Sequence, residues 1–125
     1  YIMYSFAEKQ GYSKFGSYVG NGNADGTFVF LGFKPAWVLC KTSSIGGEDW
    51  IVSDNKRNLF NETTTALFPN SASGEQSSNS IDMLSNGFKM RTTGTYRNQS
   101  GVTYIYMAFA ENPFVTSSGV PATAR

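Results

Sequence analysis

The chain has 125 residues, with 10 Lys plus Arg against 9 Asp plus Glu and no histidine, a length that suits one domain. Charged residues make up only 15%, while Gly, Ser, Thr and Asn fill 49 of the 125 positions, so the expected surface is neutral and hydrogen-bonding. A net charge of +1 gives no field that gathers phosphates and argues against nucleic-acid binding. The missing histidines exclude imidazole bases, imidazole metal ligands and a histidine pH switch. The single Cys40 excludes an internal disulfide or a CxxC motif.

In chain order, the segments rich in β-branched and aromatic residues are Tyr1 to Ala7, Ser17 to Val19, Thr27 to Phe33, Ala36 to Thr42 and Trp50 to Ser53. Ala66 to Phe68, Ile81 to Leu84, Phe88 to Arg91 and Val102 to Ala110 follow. Turn signals separate them: Gly20-Asn21-Gly22, Asp25-Gly26, Gly46-Gly47, Asn86-Gly87 and Gly101. No window carries helical periodicity. The spacing predicts an all-β fold without substantial helix, an antiparallel β-sandwich of jelly-roll-like type. Thr27 to Phe33 is apolar on both faces and predicts a strand covered on both sides or lying at an interface. Cys40 reads as a small buried hydrophobe within a central strand. In the last segment Tyr104, Tyr106, Ala108 and Ala110 share one face, and Ile105, Met107 and Phe109 the other. Asn61 to Ser80, dominated by Thr, Ser and Asn, predicts a long surface loop with one anchored segment at Leu67-Phe68-Pro69. No apolar run reaches the roughly 18–20 residues needed to cross a bilayer. Tyr1-Ile2-Met3-Tyr4 lacks a basic region and a cleavage site, so no signal peptide is expected there.

One repeat stands out. Tyr1 to Glu8 aligns with Tyr104 to Glu111 at an offset of 103, with identical Tyr, Ile, Phe, Ala and Glu at five of eight positions. This pattern predicts a tandem array with a unit near 100 residues. Residues 1–10 then form the closing strand of a preceding unit, or a linking strand, and residues 11–125 the sandwich. On that reading the chain is a fragment or a processed product.

The candidate chemical constellations read as structure. Glu48 and Asp49 point to opposite faces of a strand and form no facing acid pair, beside a Trp50 expected to be buried. Asn21-Gly22-Asn23-Ala24-Asp25-Gly26 starts like a calcium loop, yet position 12 is Gly32 rather than a bidentate Glu. Asp54-Asn55-Lys56-Arg57-Asn58 either grips an anionic glycan through Arg57 or closes a turn, and the turn is preferred. Asn61-Glu62-Thr63 and Asn98-Gln99-Ser100 fit the glycosylation sequon, a pattern common by chance. No serine sits in a Gly-x-Ser-x-Gly elbow. No catalytic residue, metal or cofactor is expected.

The segments Lys14 to Gly22, Gly32 to Val38, Asp54 to Asn58, Leu84 to Arg91 and Gly101 to Val115, with the ending Gly119-Val120-Pro121-Ala122-Thr123-Ala124-Arg125, give the chain a recognisable kinship. It resembles a β-sandwich domain of unassigned biochemical function found in virion proteins of tailed bacteriophages. The resemblance implies a tail fibre, tail spike or other appendage, often with several such units, and no catalytic or ligand residues.

The expected function is therefore a non-enzymatic virion structural domain in an appendage involved in host attachment. Its expected partners are other copies of itself, as a trimer for example, or other virion proteins, and its location is the particle surface. Tyr1, Ile2, Tyr4, Phe6, Tyr104 and Tyr106 are the candidate assembly residues. The alternative is a carbohydrate-binding module for host surface polysaccharide, with Tyr12, Tyr18, Arg57, Asn58 and Tyr96 as contacts. A capsid or neck decoration protein, or a filament subunit assembling by strand addition, is a further alternative; a depolymerase is the last.

Overall fold

A computed structural model describes residues 1–113, so the ending from Phe114 to Arg125 lies outside the described residues. Runs rich in β-branched, aromatic, Ser and Thr residues between turns form eight strands: β1 (Ser13–Val19), β2 (Phe28–Phe30), β3 (Pro35–Thr42), β4 (Ile51–Asp54), β5 (Thr63–Ala66), β6 (Gln76–Leu84), β7 (Gly87–Met90) and β8 (Thr103–Ala110). They form two four-stranded antiparallel sheets, ordered β1-β8-β3-β4 and β2-β7-β6-β5. No described residue is helical. The first strand pairs with the last and the second with the seventh, as in a jelly roll. Inside that wrap, β3–β4 is a hairpin and β5–β6–β7 a meander.

The core lies between the sheets. Tyr18, Val38, Cys40, Ile51, Tyr104, Tyr106 and Ala108 face inward from the first sheet, and Val29, Ala66, Ile81, Met83, Phe88 and Met90 from the second. Tyr18 stacks on Tyr104 at 5.2 Å, and Phe88 meets Tyr106 edge-on at 5.4 Å, an arrangement that adds ring electrostatics to buried area. Gly16 sits opposite Tyr106 in the register. A Cβ there would approach the Tyr106 hydroxyl to 2.9 Å, so a residue without a side chain leaves room for that ring.

Four expectations about local structure need correction. Tyr1 to Ala7 forms no strand and is exposed throughout. The strand expected over Thr27 to Phe33 shrinks to β2, an edge strand with Val29 inside and Phe28 and Phe30 outside. The Asn61 to Ser80 loop instead contains β5 and the first half of β6, because Thr and Ser satisfy a pleated backbone as well as a turn. Trp50 is not buried but 36% exposed, just before β4.

One end of the sandwich is closed by Asn98. Its Nδ2 donates to Asn21 Oδ1 (2.9 Å) and to the carbonyls of Asn23 (2.7 Å) and Thr92 (2.8 Å), sharing two hydrogens among three acceptors. Its Oδ1 accepts from the Asn21 amide at 3.1 Å. The side chain is fully buried, so in the folded protein the sequon at Asn98 offers its amide to the chain rather than to a glycan. Asn98→Ala should cost about 3 kcal/mol, because it strands several buried polar groups. Asn98→Asp should cost at least as much, since a carboxylate faces the same three acceptors. Urea unfolding checks the order, and a milder Asp variant at neutral pH would contradict this role.

Candidate functional site

The outer face of the β1-β8-β3-β4 sheet is apolar where an antiparallel sheet ordinarily meets water with polar residues. Registry aligns Trp37 with Phe109, Leu39 with Met107 and Phe15, and Lys41 with Ile105 and Ser17. Phe109 is the hub. Its ring lies 5.7 Å from Trp37, 5.8 Å from Tyr12 and 6.1 Å from Phe15. Phe15, Trp37, Leu39, Met107 and Phe109 are half-buried, while Tyr12, Val19 and Ile105 are exposed. A band of this kind, with polar residues at its ends, suits association with another apolar surface.

The five candidate glycan contacts do not converge. Tyr18 is corrected to a core residue: its ring is buried between the sheets and its hydroxyl donates to the Arg97 carbonyl at 2.8 Å. Burial, with Cys40 beside it, pushes the Tyr18 hydroxyl well above its ordinary range. Tyr96 is half-buried in the β7–β8 loop, 5.2 Å from the Phe68 ring. Arg57 and Asn58 lie on the β4–β5 crossover. Arg57 pairs with Asp54 at 2.8 Å and with Glu75, and Asn58 Oδ1 accepts from the Thr65 amide at 2.9 Å. The Asp54 to Asn58 segment is thus the turn preferred above. Tyr12 alone of the five leaves a broad ring surface open, 47% exposed beside Phe109.

The assembly candidates divide as sharply. Tyr1, Ile2, Tyr4 and Phe6 are 130%, 85%, 81% and 59% exposed. Tyr104 and Tyr106 are corrected to core residues on β8, which already pairs with β1 on one side and β3 on the other. A central strand has no free edge to offer.

Sequence reasoning missed two polar arrangements. A shallow cleft of about 620 Å³ is lined by Ala24, Asp25, Asn61, Glu62, Asp82 and Arg91. Arg91 Nε donates to Asp82 at 2.6 Å, and Lys89 meets Asp25 at 2.5 Å. The Lys89 ammonium, with Arg91 behind it, holds the Asp25 carboxyl below the usual range. Asn61 is tied to the Met83 backbone by two 2.9 Å bonds. The alternation of charge between Asp82 and Lys89, opposite each other on β6 and β7, was the available signal. The second arrangement is Arg97, fully buried in the core, with Nη2 donating to Ser53 Oγ at 2.7 Å. Its Nε and Nη1 have no hydrogen-bond partner among the described residues, and burial lowers its pKa. A polar loop gives no hint in sequence that its arginine turns inward.

Asp49 and Glu111 serve the scaffold. Asp49 accepts from Asn70 Nδ2 at 2.7 Å, and the Asn21 to Asp25 loop closes on itself through Asn21 and Asn23 side-chain oxygens. Glu111 pairs with Lys34 at 2.8 Å and accepts from Asn55 Nδ2 at 2.9 Å.

Partial burial raises the Asp54 carboxyl, but the amides of Lys56 and Arg57 and the Arg57 guanidinium outweigh it and hold the group below its ordinary value. A depressed carboxylate stabilises the fold above its unfolded pKa, about 3.9, and that contribution is lost as pH falls through the folded value. Asp54→Asn should therefore cost about 1 kcal/mol at pH 6 and markedly less near pH 2.5. Urea titrations at the two pH values measure it, and an equal gap at both would contradict the pairing.

No curated protein matches this sequence, and no solved structure matches it. A match does extend over residues 1–113 to the family described as a domain of unknown function, DUF7483. It takes in the exposed segment before β1 as well as all eight strands. By that coverage, the chain belongs to the DUF7483 family.

Proposed function

We propose that this domain is a non-enzymatic building block of a tailed-bacteriophage virion, part of a tail fibre or related appendage that takes part in host attachment. The observation that carries the reading is the apolar outer band centred on Phe109, a surface made for contact with neighbouring protein. The resemblance of the β1, β3, β7 and β8 segments to a virion-appendage domain supplies the setting. The pairing of Asp25, Asp54, Asp82 and Glu111 with Lys or Arg supports a scaffold role for these acids. Copies of the domain associate through the band, and Tyr12 at its margin is the residue placed to meet a host polysaccharide.

Immunogold labelling of virions with an antibody raised against the domain should decorate a fibre or appendage, and a Trp37→Glu, Ile105→Glu variant should lose self-association in light scattering while keeping its thermal unfolding. Absence of label from every particle structure would overturn the virion assignment. Unchanged association of the variant would overturn the role of the band.

A further inference from the structure

We propose that Tyr1–Glu8 is the eighth strand of an adjoining sandwich of the same family, so that consecutive units are joined through a strand that completes one of them. The strand assignment stands on the repeat and the fold, and it draws on the building-block reading only for its setting.

The fold gives the repeat a physical meaning. In β8, Tyr104, Tyr106 and Ala108 point into the core and Ile105, Met107 and Phe109 point out. The first segment repeats that code in register: Tyr1, Met3 and Ser5 give large, large and small on one face, and Ile2, Tyr4 and Phe6 are all apolar on the other. A chance pairing of β-rich segments has no reason to keep both faces. Within its own unit the segment has nowhere to go, because β8 fills the place between β1 and β3. It is left with its apolar side chains in water and its backbone outside either sheet, a state that a partner sheet relieves.

The flanking residues fit the same account. Glu111, which follows β8, is clasped by the Lys34 ammonium and the Asn55 amide, and its backbone amide donates to the Lys34 carbonyl at 2.9 Å. Glu8 is its counterpart and would take the corresponding clasp of the adjoining unit. The chain then reverses tightly. Ser13 and Tyr12 amides donate to the Lys9 carbonyl at 2.9 and 3.0 Å, and Gly11 takes a φ of 69°, which suits glycine. This turn sends the segment back along β1 and sets the Phe6 ring 5.9 Å from Phe15. The adjoining sandwich therefore lies beside the β1 edge. Phe6, in the position of Phe109, carries that unit's aromatic band onto this one.

The test is a tandem chain in which residues 1–103 run directly into a second complete copy. The first unit then lacks its own residues 104–111, and only Tyr1–Glu8 of the second copy can complete it. Both units should fold, and the second copy's Ile2 to Phe6 amides should exchange about a thousandfold more slowly than in the single chain. Tyr1→Asp with Met3→Asp in the second copy should unfold the first unit and spare the second. A control with Met3→Tyr, Tyr4→Met and Ser5→Ala restores the β8 sequence at that place. If only this control folds its first unit, the segment is not a β8-type strand; if neither does, the Lys9–Ser13 turn cannot join two units. Either result overturns the proposal, and neither bears on where the domain sits in a particle.

Discussion

The constraint on which the rest of the structure depends is the position of β8 between β1 and β3. Its backbone is hydrogen-bonded on both sides, so its side chains alone remain for other work, and alternation assigns them to two tasks. Tyr104, Tyr106 and Ala108 build the core with Tyr18 beside them on β1 and Phe88 across the sandwich. Ile105, Met107 and Phe109 build the apolar outer band. A one-residue slip of β8 would exchange the two sets and ruin both. The Gly16 position opposite Tyr106 helps to fix the register, because a side chain there would strike the ring.

Polar residues close the sandwich at its ends, and they do so by burial rather than by exposure. Asn98 replaces water for the Asn21 and Thr92 loops. Arg97 is the costly member, since its guanidinium is enclosed with one hydrogen-bond partner and no ion-paired carboxylate among the described residues. Burying a cation so incompletely opposes folding, and the surrounding aromatic packing of Tyr18, Tyr104 and Phe88 has to outweigh it. Burial likewise raises the thiol of Cys40 despite the nearby Arg97, which keeps the one cysteine neutral and inert in the core.

Much of this was legible in the sequence. The period-two alternation of β8, the Asn86-Gly87 hairpin signal between β6 and β7, and the buried Cys40 on β3 all follow from local chemistry. The failures share one cause, which is that burial of a polar or amphipathic residue is decided by distant chain. Tyr18 sits among Gly, Ser and Asn and reads as exposed, yet it occupies the inward position of β1 and finds the Arg97 carbonyl 79 residues away. Asn79 and Ser80 are buried because β6 lies between β5 and β7, which no composition of Ser and Asn announces. Tyr104 and Tyr106 match Tyr1 and Met3 in register, but the sequence could not say that one set is enclosed and the other bare.

The most direct measurement is native-state hydrogen exchange resolved by residue across the described strands. If β8 is the member on which both faces depend, the amides of Ile105 to Ala108 exchange only through global unfolding, with the same free energy as urea denaturation reports, while β2 and the edge of β4 open at lower cost. Exchange of the β8 amides through a cheaper local opening, ahead of the edge strands, would contradict the account.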